Sequence, residues 1–479
     1  MKIKHNFWHT LNKIYGILIR VYFDLVRDPI VILARSGKKN KRPLILDMDW
    51  YKWSLNDQEK CRNLCEHPLI SKHADFIRVE RAQIFNGRVP DLDVTGDNYK
   101  EVSYGGFNLW GICRATIISK LATFKIESSQ IEEVRIIFEE AAKGIDNLKT
   151  LFEKLRPDTV FIFQGGFYDS RCVVEVARRI GINVVGVENS MMSGLVFLDN
   201  LSGQIINRHS LARTGRELLE TWNVTDRDRE DVCALWRSKL TDKSEEHRTG
   251  GVDDPEEIRK AFGIPSGKKI LLLLAQVCTD ASIVLDSTLY EDPIDMIEEV
   301  SREMQGTEDA VLVIRLHPKE LKGVSPTGTP YDRLTYRLLK ERGVEALPGV
   351  YVVEDPQFNT YSLMEMADAG ITINSQAGFE MCLMGKPVMV CGNAFYGGKG
   401  FTVDLGNPAA LGPMLEFLLN EAVMTPKEQE VAFSFLHLLY KRQLFDNKLS
   451  INQERLLQIF LAKPVFDKDR YDFFSVKQK

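Results

Sequence analysis

Gly370-Ile-Thr-Ile-Asn-Ser-Gln-Ala-Gly-Phe-Glu-Met-Cys-Leu-Met-Gly-Lys-Pro-Val-Met-Val390 is the stretch whose reading sets the fold. Gly370 to Ile373 is a short apolar run with strand character, and Pro387 to Val390 is another. Between them Ser375 supplies the hydroxyl of a helix cap, and an apolar segment runs to Gly385, a residue type that ends helices. A strand, a helix and a second strand in so short a span form a βαβ unit with parallel strands. The first strand ends at Asn374, where the helix begins. A helix N-terminus presents unpaired N–H groups and the positive end of a dipole, both suited to a phosphate. Ser375 adds a hydroxyl, Gln376 an amide, Gly378 allows close backbone approach, and Glu380, one turn in, is placed to reach a ribose hydroxyl. The plainer reading, that Ser375 only caps a helix, accounts for Ser375 but not for the whole string.

Working outward, the same α/β logic recurs on the N-terminal side. Lys269 to Leu274 reads as a buried strand, Ile294 to Met304 as a helix, and Ala310 to Arg315 as a strand. Val350 to Val353 is a further strand, leading into Glu354-Asp355. Ser362 to Ala369 is a helix with Thr360 or Ser362 near its cap. From Thr425 the tail reads as helix. In the first half, Pro43 to Asp47 is a strand, Asp91 to Gly106 a loop, and Ile131 to Leu155 one long helix. Thr159 to Phe163 is a strand, Gln164-Gly165-Gly166 a turn, Asp169 to Ile180 a helix, and Ile182 to Val187 the next strand. That βαβ unit sets Gly165, Gly166 and Glu188 at strand carboxyl ends, where open α/β sheets bind ligands.

The polar stretch from Thr241 to Glu257 marks a domain border. The expected architecture is α/β, with two Rossmann-like domains facing a cleft over residues 43–255 and 256–424. Residues 1–42 precede them and a helical tail, 425–479, follows. Neither a dinucleotide glycine fingerprint nor a Walker A loop is present, since Gly263 to Lys269 has the wrong spacing.

The bulk properties narrow the function classes. A chain of 479 residues is long enough for two cores. Its net charge of −5 argues against a nucleic-acid partner. Residues 1–42 nevertheless carry ten lysines and arginines against Asp24 and Asp28, a local +8 on a body of −13. Phe7, Leu11, Ile14, Tyr15, Leu18, Tyr22 and Leu25 recur there at helical spacing. This segment is either an interfacial helix on an anionic membrane surface or a helix packed on the body of the protein. No stretch has the length of a membrane span, because Ile14 to Val26 is short and interrupted by Arg20 and Asp24. The reading is a cytoplasmic protein, with a peripheral hold on the inner face of the cell membrane if the first of these holds. The eight cysteines show no disulfide framework. Cys61, Cys65, His67 and His73 cluster, but not at the spacing of a standard zinc finger, so no metal site is assigned.

Three further segments bear on the chemistry. In Arg315-Leu-His-Pro-Lys-Glu320, His317 follows a strand's carboxyl end and can pair with a phosphate, with Arg315 or Lys319 adding charge. Gln276 and Asp280 lie in Ala275-Gln-Val-Cys-Thr-Asp-Ala-Ser282, just past another strand. Asp280 is a nucleophile, a base, or simply the cap of the next helix, and local sequence favours the cap. Gly392-Asn-Ala-Phe-Tyr-Gly-Gly-Lys-Gly-Phe-Thr402 is a glycine-rich loop. Its Tyr396 can stack on a base or sugar, and its Gly398 allows tight turning.

Taken in order, these four segments read Gln-Val-x-x-Asp-x-Ser, His-Pro, Ser-x-x-Gly-Phe-Glu-x-x-Leu-x-Gly-Lys-Pro-Val, and Phe-Tyr-x-Gly-x-Gly-φ-Thr (φ apolar). The pattern resembles the bacterial capsule polysaccharide synthesis/export proteins, whose characterised members are β-Kdo glycosyltransferases using CMP-Kdo. It covers about residues 265–405. The resemblance implies a GT-B fold and sugar transfer from a CMP donor to a glycan or lipid-linked acceptor, with retention and no cofactor or metal. It implies that Asp280 is the attacking carboxylate, that His317 and Ser375 hold the CMP phosphate, and that Glu380 holds the ribose. Gln276, Arg315, Asn374, Gln376, Gly378, Tyr396 and Gly398 complete the nucleotide-sugar set. Gly165, Gly166 and Glu188 are placed on the acceptor side.

The chain departs from the family pattern twice. Thr279 stands where a second acidic residue is common. Lys399 stands where the family carries tryptophan, removing an aromatic from the expected sugar site. The donor is therefore Kdo or a related acidic sugar. Two other classes fit the same segments: another GT-B enzyme (a UDP-sugar transferase or nucleotide-sugar epimerase), and a non-catalytic capsule export or scaffold protein.

Overall fold

The computed structural model describes residues 42–48, 67–192, 195–199, 219–241, 254–321, 332–353, 358–446 and 452–461. The basic segment up to residue 41, Cys61 and Cys65, most of the expected domain border, Glu354-Asp355 and the tail beyond 461 lie outside the described residues. Among the described residues, two six-stranded sheets and one two-stranded hairpin organise the fold.

The first unit runs through β1 (Leu44–Asp47), α1 (Pro68–Ser71), β2 (Asp75–Arg78) and α2 (Arg81–Phe85). A hairpin follows, β3 (Ser103–Tyr104) and β4 (Phe107–Asn108), then α3 (Leu109–Leu121) and α4 (Ile131–Leu155). It continues with β5 (Thr159–Phe163), α5 (Tyr168–Ile180), β6 (Asn183–Asn189) and β7 (Leu195–Asp199). The first strand and the turn of this hairpin fall inside the stretch expected to be loop, Asp91 to Gly106, and its second strand follows just after it. Its turn is Gly105-Gly106, with φ of 56° and 84°, a conformation open to glycine and costly for other residues.

The second unit holds α6 (Asp226–Thr241), α7 (Pro255–Ala261), β8 (Lys269–Leu274), α8 (Ala281–Asp286), α9 (Pro293–Glu303) and β9 (Ala310–Arg315). It continues with α10 (Leu334–Glu341), β10 (Val350–Val353), α11 (Thr360–Met366), β11 (Ala369–Thr372) and α12 (Gln376–Leu383). It closes with β12 (Val388–Val390), β13 (Val403–Asp404), α13 (Leu411–Asn420) and α14 (Pro426–Arg442). Beyond it come β14 (Leu444–Asp446) and α15 (Gln453–Leu461).

The second sheet is parallel throughout, in the order β10-β9-β8-β11-β12-β13. Its strands are unbroken apolar runs because helices cover both faces: Ile270 to Leu274, Val311 to Ile314 and Ile371 are all buried. In chain order this is the doubly wound 3-2-1-4-5-6 arrangement. The winding direction reverses between β8 and β11, which opens a crevice at their carboxyl ends. The first sheet has the order β14-β7-β6-β5-β1-β2, parallel from β2 through β6, with β7 antiparallel to both of its neighbours. Two Rossmann-like units in one chain give the GT-B-like architecture expected from the sequence.

Two assignments of chain to unit differ from the sequence reading. α6 was expected in the first unit, yet its Val232 and Trp236 are buried in the core around Ile270, Leu272 and Val388 of the second. The Trp236 ring meets Tyr361 edge to face at 6.2 Å. The tail was expected to be helical only. After α14, β14 instead pairs with β7 of the first sheet, and α15 packs beside it. Thr159 Oγ1 donates to the Phe460 carbonyl at 2.7 Å, and Asn183 Nδ2 to the Ile459 carbonyl at 3.0 Å. The chain therefore crosses back and completes the unit it began with.

The two units meet along α3 and α8. Ala115, Ile118 and Phe167 from the first pack with Ala281, Val284 and Leu285 from the second. Arg114 Nη2 donates to the Leu285 carbonyl at 3.5 Å, and Lys100 pairs with Glu291. Among the described residues, no helix is long and apolar enough to cross a membrane.

Candidate functional site

Strand register brings the four segments together. Leu274 of β8 lies opposite Arg315 of β9, and β11 sits on the other side with Ile371 opposite Leu273. Thr372 of β11 in turn lies opposite Val390 of β12. The chain therefore leaves four adjacent strands at one level and on one edge, through Gln276, His317, Asn374 and Gly392. This is the edge at which the sheet's winding reverses.

Asp280 caps α8, as its local sequence favours. Its Oδ1 accepts both the Ser282 N–H at 2.8 Å and the Ser282 hydroxyl at 2.7 Å. Both capping bonds fall on one oxygen. Among the described residues no donor reaches Oδ2, and the residue is only partly buried. Capping and chemistry are thus compatible in one side chain. Because Ala281, Val284 and Leu285 pack on the first unit, α8 carries Asp280 to the seam between the two sheets.

The same helix ties the neighbouring segments. Asn374 is fully buried, and its Nδ2 donates to the Ser282 carbonyl at 3.2 Å and to Asp286 Oδ2 at 3.3 Å. The Asn393 N–H donates to the Asp286 carbonyl at 2.9 Å. A Cβ on Gly392 would stand 2.8 Å from that carbonyl and 2.7 Å from Ile373 Cγ2, so only glycine permits this approach. Asn374 is therefore a structural bridge to α8, where the sequence reading set it against the nucleotide. Across the seam Asp286 also meets the field of two buried arginines, Arg114 and Arg171. Burial lowers both guanidinium pKa values, and Asp286 counters that by favouring their charge.

Ser375 caps α12 as expected, its hydroxyl accepting the Ala377 N–H at 3.3 Å. Gln376 is half-buried and opens the first turn. His317 is also half-buried. Its Nδ1 accepts the Lys319 N–H at 3.1 Å, so the neutral ring carries its proton on Nε2. Gln276 Oε1 and Asn393 Nδ2 are buried without a hydrogen-bond partner among the described residues. These two amides, at the exits of β8 and β12 on either side of β11, give the edge unspent polar capacity.

Besides Asn374, five expected nucleotide-sugar contacts do not fit their places. Glu380 is fully buried, and its carboxylate is 2.5 Å from the Lys239 ammonium of α6, itself 3% exposed. α12 turns this residue into the core, away from any ribose. Tyr396 is fully buried, donates to the Ser375 carbonyl at 2.7 Å and stacks on Phe379 at 5.5 Å. It braces the α12 cap from behind and cannot stack on a base. Gly378 is required by that brace rather than by a ligand, since a Cβ there would stand 2.2 Å from the Tyr396 hydroxyl. Arg315 is buried, with Nη1 donating to the Val353 carbonyl at 3.4 Å. Gly398 serves the loop itself, its N–H donating to Asp404 Oδ2 at 3.0 Å. Lys399 also turns inward, donating to the Phe395 carbonyl at 2.8 Å with its ammonium over the Phe435 ring. It is a loop anchor, so it does not stand in the place of a sugar-stacking aromatic.

Gly378→Ala is accordingly expected to cost about 1–3 kcal/mol through overpacking against a tyrosine with nowhere to go. Urea unfolding measures it, and an unchanged midpoint would show that Tyr396 does not brace the cap.

On the first unit, Phe163 of β5 lies opposite Val187 of β6, which sets Gln164 to Gly166 level with Glu188. Gln164 and Gly165 take positive φ (57° and 93°), and the chain then enters α5 through Phe167. Phe167 packs in the seam cluster with Ala281, the residue after Asp280. The expected acceptor-side residues therefore lie across the seam from Asp280. In the Cys61, Cys65, His67 and His73 group, to which the sequence assigns no metal, His67 caps α1, its Nδ1 accepting the Leu69 N–H at 3.3 Å.

Comparison with known proteins bears on the second unit. Residues 246–410 match the family model described as capsule polysaccharide biosynthesis protein, a span that contains all four segments. The capsule polysaccharide export protein KpsS of Escherichia coli is 35% identical over 138 residues, 28% of this chain and 33% of that protein. The lipopolysaccharide-processing protein LpsZ of Rhizobium meliloti is 28% identical over 141 residues, 29% of this chain and 28% of that protein. The chain thus matches about a third of the length of these curated relatives. Among solved structures, the β-Kdo 2,4 transferase of Thermosulfurimonas dismutans KpsC is similar at a TM-score of 0.42 and 16% identity, over 64% of this chain and 88% of that one. The UDP-GlcNAc 2-epimerase of Methanocaldococcus jannaschii is similar at a TM-score of 0.33 and 12% identity, over 83% and 99%.

Proposed function

We propose that this protein is a retaining glycosyltransferase of capsule or surface-polysaccharide assembly. It moves Kdo or a related acidic sugar from a CMP donor to a glycan or lipid-linked acceptor. The observation that carries the reading is the convergence of Gln276–Asp280, His317, Ser375–Gln376 and Asn393 at the switch-point edge, with one Asp280 oxygen uncommitted. The donor phosphate is met by the first turn of α12, the Ser375 hydroxyl and the His317 Nε2 proton. These donors stabilise the charge that develops as the nucleotide leaves.

Asp280 Oδ2 attacks the anomeric carbon, the bond to the CMP phosphate breaks, and a glycosyl ester forms on the protein. An acceptor hydroxyl, bound against Gln164–Gly166 and Glu188, then attacks the same carbon and displaces the Asp280 carboxylate, its proton passing to solvent. Two displacements at one carbon return the original configuration. No step calls on a metal, since the leaving phosphate is stabilised by the helix terminus and the imidazole.

Thermal shift with CMP, UDP and GDP tests the reading. CMP at 100 times its Kd is expected to stabilise the protein by about 2.7 kcal/mol, with UDP and GDP well below that. Preference for UDP would replace this reading with a UDP-sugar transferase or an epimerase. No response to any nucleotide would favour a scaffold in export.

A further inference from the structure

A buried network that plays no part in the reaction above joins the turn after β9 to the loop bearing Asp280. Glu320 lies on the single turn Pro318–Leu321 and is 1% exposed. Its carboxylate accepts the Thr335 N–H at 3.2 Å, the Thr335 hydroxyl and the Tyr336 N–H, at the start of α10. The same hydroxyl, fully buried, is 3.4 Å from the Gln276 carbonyl and accepts the Cys278 N–H at 3.4 Å. Gln276 and Cys278 begin the turn that ends at Asp280, whose N–H returns to the Val277 carbonyl at 2.9 Å.

A threonine hydroxyl has one proton to give. While Glu320 is ionised, that proton goes to the carboxylate and the Gln276 carbonyl goes without. Once Glu320 is protonated, its own proton goes to Thr335 Oγ1, and the threonine proton turns to Gln276. The Asp280 turn is then held by two bonds to Thr335, Cys278 N–H to oxygen and hydroxyl to Gln276 carbonyl, where the ionised form leaves one.

We propose that Glu320 is a positioning residue for Asp280, acting through the Thr335 hydroxyl, and that its protonation tightens the Gln276–Asp280 turn. Burial outweighs the lowering bonds from Thr335 and Tyr336 and leaves its carboxyl raised to about 7, so the exchange falls near neutral pH. The titratable and charged residues on the elements packed against it are few. His317 and Lys319 share its turn, with the Glu320 N–H donating to the His317 carbonyl. Arg333 and Tyr336 belong to the α10 side, and the Arg333 N–H donates to the Glu320 carbonyl. Cys278 faces it from the β8 loop, its buried thiol pushed up further by the Glu320 charge and by Asp292. Asp292 is itself paired with Arg342. The functional part of this proposal rests on the reading of Asp280 as the attacking carboxylate; the relay itself does not.

Hydrogen exchange on the full chain, read by mass spectrometry over residues 275–282 and corrected for intrinsic pH dependence, tests it without ligand. Between about pH 8.5 and 5.5, protection in the wild type is expected to rise about fivefold, the weight of one net hydrogen bond, with a midpoint near 7. Glu320→Gln, whose amide donates to Thr335 Oγ1 as the protonated acid does, should hold the protected state at every pH. Thr335→Val should be unprotected and flat, and Thr335→Ser should restore the step. A flat wild-type profile, or a step that survives in Glu320→Gln or Thr335→Val, overturns the relay. Loss of the matching limb from the kcat–pH profile of Glu320→Gln, with the donor KM unchanged, ties the relay to transfer, and an intact limb overturns that tie. If the exchange step is present but Asp280→Asn still transfers sugar, the assignment of Asp280 fails and the relay stands.

Discussion

Asp280→Asn is expected to lower sugar transfer by at least about 10³-fold, roughly 4 kcal/mol in the barrier, while leaving the fold intact. The separation is possible because the two roles of Asp280 use different atoms. Its Oδ1 takes both bonds from Ser282, and asparagine can accept the same two bonds through its remaining carbonyl oxygen. Asparagine is as good a helix cap as aspartate, so α8 and the seam packing behind it should hold. What changes is the second oxygen, replaced by an amide nitrogen that cannot form a glycosyl ester. Asp280→Ala confounds the two roles, since it also removes the cap at about 1 kcal/mol. The decisive measurement pairs the transfer rate of Asp280→Asn with its unfolding midpoint, and with mass spectrometry of the wild-type peptide for a trapped sugar on Asp280. Near wild-type transfer by a stable Asp280→Asn protein would remove the nucleophile from the proposal.

The largest stability effect is expected at Lys239. Its ammonium and the Glu380 carboxylate are 3% and 0% exposed and 2.5 Å apart, and the ammonium is also 5.8 Å from the centre of the Trp236 ring. Removing one partner strands the other charge in the core, which costs about 3–5 kcal/mol. Lys239→Met should therefore destabilise strongly, and so should Glu380→Gln, though less, because the amide keeps hydrogen-bonding capacity. Replacing both with apolar residues of similar volume should recover most of the loss, since the pair itself is near neutral against a packed hydrophobic substitute. Urea unfolding of the two single variants and the double variant gives the coupling energy directly. A cost under about 1 kcal/mol for Lys239→Met would mean that water reaches the pair and that Glu380 is open to other work, the ribose included.

These two side chains show how differently the sequence speaks about different residues. Asp280 followed by Ala-Ser at the end of an apolar run announces a cap, because capping is a contact across two residues. Ser375 announces itself in the same way. The runs Lys269–Leu274 and Ala310–Arg315 coincide with β8 and β9 to the residue, because strands covered on both faces are apolar without interruption. Lys239 and Glu380 are separated by 141 positions, and nothing local to either names the other. The three residues of β14 are too few to show a period, so the tail reads as helix although it returns to the first sheet.

The same distinction runs through the glycine-rich loop. Its position after β12 is legible in the run from Pro387 to Val390. That Tyr396 points behind the α12 cap and Lys399 over Phe435 is decided by the aromatic cluster of Phe379, Phe395, Phe401 and Phe435, assembled from three separate stretches. A long polar side chain in a loop can face ligand or core with equal local justification, and only the shape of its neighbours selects between them.

By itself, then, the sequence determined two α/β units and the four segments that leave one edge of the second sheet. Hydrophobic period and helix caps act over a few residues and are written in local order. Only the tertiary structure decided which residues of those segments face the edge. It keeps Asp280, His317, Ser375 and Gln276 there, and it withdraws Glu380, Tyr396, Arg315 and Asn374 into buried pairs and bridges. The reason is that burial of a polar side chain depends on a partner to satisfy it, and those partners, Lys239 and Asp286 among them, come from distant parts of the chain.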